Sequence, residues 1–166
     1  MFKEKGFTLI ELTAAMAITA MLAAGAAIVF DAHLKDGEEF SHIKNAQTAA
    51  VATQTKILQE NIAPDEGANT TFTLQDLYDD DRLTVMIDPS SGESESAYAS
   101  GSTVTVENVS PTGSAQATFK FYVKLTNSGG DYVYVDESDL TDAGKVDAKD
   151  LTRDAVEIPK RNATGL

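Results

Sequence analysis

Glu11 is the side chain of this sequence with the clearest chemical meaning. It is the one charged residue between Phe7 and Phe30. An ionisable group inside a membrane-length helix costs about 2.5–3.5 kcal/mol on insertion scales, so its presence there points to a role. A carboxylate in that setting suits an amine: pairing offsets the desolvation of both charges and fixes register more than it adds net stability. Just before the apolar run stand Lys3, Glu4, Lys5 and Gly6. A glycine has no side chain to hold off a protease that must approach the backbone closely.

Lys5-Gly6-Phe7-Thr8-Leu9-Ile10-Glu11-Leu12 resembles the type III signal sequence of type IV pilins and of the pseudopilins of type II secretion. The resemblance implies cleavage between Gly6 and Phe7 by a membrane-embedded prepilin peptidase, then N-methylation of Phe7. Glu11 matches the family's glutamate, the fifth residue from that cut. The new α-amine of Phe7, with an ordinary pKa of about 8, would meet Glu11 of another subunit and set the axial stagger of neighbouring helices. The likeness covers the N-terminal helix only. An ordinary secretory signal, cut among Met21-Leu22-Ala23-Ala24-Gly25-Ala26-Ala27, and a plain signal anchor are the alternatives. Both leave Glu11 unexplained.

Elsewhere the candidates are sparse. Asp136, Glu137, Asp139 and Asp142 form a carboxylate group of the hard oxygen type that Ca²⁺ takes, and major pseudopilins carry a calcium site in their C-terminal loops. The spacing is not that of an EF-hand, and an uncoordinated acidic surface accounts for it as well. Asp79-Asp80-Asp81 reads as a solvated helix end. His33 and His42 lie nine apart, not the four that would place two ligands on one helix face, and read as core-edge or exposed residues. No Gly-x-Ser-x-Gly elbow, phosphate loop or Cys/His cluster occurs. The sequence therefore supports neither an enzyme nor a cofactor.

The element that positions Glu11 is a helix. Leu12 to Phe30 carries no charge over about 19 residues, near the length that spans a bilayer core. Lys3 and Lys5 predict a cytoplasmic N-terminus and an external remainder. Alanine at 14, 15, 17, 20, 23, 24, 26 and 27, with Gly25, allows close approach of helix backbones in a bundle. Many pilin helices carry a proline in this segment; here none occurs before Pro64, and Gly25 is the remaining soft point.

Composition sets further bounds. The chain has 166 residues, no cysteine and a net charge of −13. Loss of the leader, net +1, makes the side-chain total −14. An acidic surface repels phosphates, so direct nucleic-acid binding is not expected. The C-terminal region lacks the disulfide loop that many pilins carry.

Beyond Phe30 the pattern becomes amphipathic, with Leu34, Phe40, Ile43, Ala50, Ile57 and Leu58 at roughly helical spacing. The helix is expected to reach about Asn61, with Pro64 and Gly67 marking its end. A loop over Asp65–Asn69 and a short helix from Thr73 to Tyr78, capped by Thr73, follow. Strands are predicted at Leu83–Ile87, Thr103–Val109, Ala117–Leu125 and Tyr132–Val135, the last two joined by Asn127-Ser128-Gly129-Gly130. Phe119, Phe121 and Val123 would share the core face. Pro89–Ser102 reads as an exposed loop, and Leu140–Ala143 as a possible short helix.

The fold class is thus α+β: a long N-terminal helix packed on an antiparallel sheet, the pilin layout. Its parts are a leader at 1–6, a transmembrane and assembly helix at 7–30, an amphipathic half at 31–62 and a β-rich head at 63–166. The expected role is a structural subunit of a type IV pilus-like filament. Its partners would be its own copies, minor pilins, the prepilin peptidase and an inner-membrane assembly platform. Its place would be the cytoplasmic (inner) membrane as an N-in precursor, then a surface fimbrium serving adhesion, motility or another process. A pseudopilin, or a tethered or secreted binding domain that does not polymerise, remain the alternatives.

Overall fold

The computed structural model describes residues 9–91, 96–126 and 147–152. Two compact units divide the chain, Met1–Gly37 and Glu38–Leu166. Helix α1, Leu9–Glu60, contributes to both. Its composition explains its length, since alanine is the best helix former and no proline interrupts it.

The helix ends where the sequence predicts. Asn61 takes a left-handed conformation (φ 54°) and the amide of Ile62 donates to the carbonyl of Ile57 at 3.2 Å. This is the long bond of a Schellman cap, with asparagine in the place glycine usually fills.

In the second unit, α1 packs on a three-stranded antiparallel sheet, giving an α+β fold. The strands are β1 (Asn69–Thr73), β2 (Thr103–Asn108) and β3 (Phe119–Lys124), with β2 central. Opposite residues in register are Phe72, Val104 and Val123, then Thr70, Val106 and Phe121. Period-two alternation sends this set toward the helix. Phe72, Val104, Val106, Phe121 and Val123 are all buried, and Phe119 packs at the edge of the same core. On the other face Thr71 and Thr105 hydroxyls lie 2.8 Å apart, and the Tyr122 hydroxyl donates to Glu107 at 2.8 Å.

The helix side of this core differs from the expected stripe. Ile43, Ala50 and Ile57 are buried as predicted. Leu34, Phe40 and Leu58 are exposed, and the inward face is completed by His42, Ala46, Ala49, Ala52 and Thr53. Most of these α1 residues are small, so much of the bulk of the core comes from the strands and the segment that follows β1.

Helix α2, Leu74–Asp79, carries the predicted cap on Thr73. The Thr73 hydroxyl accepts from the Asp76 amide at 3.1 Å, and the Asp76 carboxylate accepts from the Thr73 amide at 2.9 Å, a reciprocal capping box. These bonds hold the Asp76 carboxyl below its ordinary pKa. Leu74 and Leu77 reach the core.

Two expectations need correction. Asn69–Thr73, placed partly in a loop, is the strand β1. Leu83–Ile87 is not a strand: its pairing is a single bridge between Ile87 and Ala97. Leu83 and Met86 are buried whereas Val85 and Ile87 are exposed, a spacing of three that suits an irregular segment, not a pleat. The segments predicted at Tyr132–Val135, Asn127–Gly130 and Leu140–Ala143 lie outside the described residues. A 3₁₀ turn at Ala148–Asp150 packs near β3.

Candidate processing and assembly site

Of the predicted site residues, Glu11 lies in the first described turn of α1 and is exposed. Gly6 and Phe7 lie outside the described residues, as do the calcium candidates Asp136, Glu137, Asp139 and Asp142. From Leu9 to Ala26 the helix is exposed on every side, and this stretch is long and apolar enough to cross a membrane. Leu9 and Ile10 are 83% and 76% exposed, so this apolar surface has no cover among the described residues.

The two threonines of that run bond locally. The Thr13 hydroxyl donates to the Ile10 carbonyl at 3.1 Å, and that of Thr19 to the Ala15 carbonyl at 2.8 Å. Such back-bonding satisfies a hydroxyl inside an apolar helix without a partner from elsewhere. A Cβ added at Gly25 would meet nothing within 4 Å, so no intrachain contact demands glycine there.

Residues 1–27 match the family model of the prokaryotic N-terminal methylation motif. The chain carries a type IV prepilin signal. In that signal Gly6, Phe7 and Glu11 all fall within the matched residues, and the helix displaying Glu11 begins inside it. The prepilin signal supports a type IV pilin-like or pseudopilin precursor, and the apolar helix is consistent with membrane anchoring. No curated protein and no solved structure matched the chain, so the head is interpreted from its own geometry.

That geometry holds one polar cluster that sequence reasoning missed. His42, expected at the core edge or outside, is fully buried. Its Nδ1 lies 2.7 Å from the Tyr98 hydroxyl, and Asp88 Oδ1 lies 3.8 Å from its Nε2. The only sequence signal was its place three residues before Asn45 and four before Ala46, on the inward face of α1. Among the described residues no group of three or more His, Cys, Asp or Glu side chains is arranged to hold a metal ion. A groove beside Val51, lined by Ala50, Phe119, Phe121 and Ala148, carries no converging set of catalytic groups.

The acidic run Asp79-Asp80-Asp81 is exposed at the end of α2, as expected, and two of its carboxylates have partners. Asp80 pairs with Lys56, and Asp79 accepts from Gln75 at 2.7 Å. The Asp80 hydrogen bond, aided by Glu60 at 3.5 Å, raises the Lys56 pKa.

Proposed function

We propose that this chain is the precursor of a filament subunit. Prepilin peptidase cuts after Gly6, Phe7 is N-methylated, and α1 carries the subunit from the membrane into a polymer of its own kind. The Phe7 amine of one subunit meets Glu11 of a neighbour away from water, which selects the axial register. Contacts of this head-to-tail type do not close into a ring and so extend into an open fibre. The role is structural, not enzymatic.

The observation that carries this reading is the prepilin signal on a helix whose apolar stretch from Leu9 to Ala26 is exposed. Lipid covers that surface before assembly and neighbouring helices cover it afterwards. Mass spectrometry of the mature N-terminus tests the processing: methyl-Phe7 is expected, whereas an intact Met1 or a start near Ala26 overturns it. The same signal serves the pseudopilin reading. Electron microscopy with labelled protein separates a long surface fibre from a short pseudopilus.

A further inference from the structure

The cluster around His42 joins two separate stretches of the head to α1. His42 and Asn45 are three apart on the helix and face the same way. Asn45 donates from Nδ2 to the Tyr98 hydroxyl at 3.0 Å and to the Ile87 carbonyl at 3.3 Å. Ile87 and Ala97 form an antiparallel bridge, and the Asp88 amide donates to the Ser96 carbonyl at 2.8 Å. Asp88 Oδ1 also accepts from the amide and hydroxyl of Ser90. The base of this excursion is therefore stitched together and pinned to α1 through His42, Asn45, Asp88 and Tyr98.

The Tyr98 oxygen accepts from Asn45, and the assignment that also uses the hydroxyl hydrogen has it donate to His42 Nδ1. The imidazole is then neutral, with its proton on Nε2 toward Asp88. His42 Nε2 and Asp88 Oδ2 are buried and have no hydrogen-bond partner. A proton added at Nδ1 would turn that nitrogen into a donor facing Tyr98, and the Tyr98 hydrogen would lose its acceptor. A buried donor left unmade costs on the order of 1–3 kcal/mol.

We propose that His42, Tyr98 and Asp88 form an acid-released latch that holds the paired segments Ile87–Asp88 and Ser96–Tyr98 against α1. The groups facing His42 are Asp88 and Tyr98 from those segments, with Tyr78 of α2 acting on Tyr98. On α1 itself Glu38 and Glu39 lie one turn before it and Lys44 two residues after. Desolvation by burial lowers the His42 pKa to about 4 despite the opposing pull of Asp88, whereas a released imidazole returns to about 6.5. Acid therefore favours the released form.

The test is hydrogen exchange of the Asp88 amide, read by NMR on the full chain in detergent micelles and corrected for intrinsic rate. Between pH 7 and pH 4.5 its protection falls on the order of 60-fold by linkage, while amides of β2 keep theirs. The ¹⁵N-labelled His42 imidazole stays neutral at pH 5 in the same sample. His42→Gln keeps a hydrogen-bonding amide without a titrating nitrogen, and its Asp88 protection should be the same at both pH values. Unchanged protection in the wild-type chain overturns the latch. So does an imidazole titrating near 6.5, or equal acid loss in His42→Gln. The imidazole titration and wild-type exchange decide the matter even if that variant does not fold.

Discussion

Arg82 grips the end of α1: its Nη2 donates to Glu60 Oε1 at 2.7 Å and its Nη1 to Gln59 Oε1 at 2.6 Å. Together with Lys56 and Asp80 this couples the last turn of α1 to the turn that follows α2. The guanidinium is largely covered but Glu60 is about a third exposed, so solvent screens the pair. Arg82→Met should lower unfolding stability by about 1 kcal/mol, measured by denaturant titration, with most of the loss disappearing in high salt.

Thr73→Ala removes one arm of the capping box and should cost about 1 kcal/mol. The same cap depresses the Asp76 carboxyl. A depressed carboxyl stabilises the fold above its unfolded pKa and loses that contribution as pH falls through the folded value. Stability of the wild-type chain should therefore decline below about pH 4 more steeply than that of Thr73→Ala, as comparison of the two acid-unfolding curves will show.

Leu77 of α2 is fully buried in the core. Leu77→Ala should lower stability by about 2–5 kcal/mol. Ala49 of α1 is also fully buried, and Ala49→Leu should destabilise by about 1–3 kcal/mol because it adds volume there. Thermal unfolding of the two variants measures both losses.

Glu11→Val should leave leader removal intact and impair polymerisation. Quantifying mature N-termini and sheared filaments from the same cells checks both halves. A normal filament yield would count against the amine–carboxylate contact.

The apolar helix and the prepilin signal were legible because their constraints are local: a glycine, a phenylalanine and a carboxylate in register, then an unbroken apolar run. Thr73 was legible for the same reason, since a cap lies within four residues. β1 was harder to see because Asn69-Thr70-Thr71-Phe72-Thr73 offers one large apolar residue, and its strand character comes from threonine and from pairing with β2. Leu83–Ile87 misled because an apolar run reads as a strand whether or not a partner strand exists. His42 could not be placed from sequence, since its partners Asp88 and Tyr98 lie 46 and 56 positions away.

The alanine seam on α1 has a further meaning for how this head can change. Alanine has no rotamers to freeze, so seating that face sacrifices almost no side-chain freedom, and it leaves no slack for larger groups. Sequence drift in the head is thereby channelled to the strands, where Phe72, Phe121 and Val123 supply the bulk and can trade volume among themselves. Two heads could diverge widely across their sheets and still rest on the same bare strip of helix.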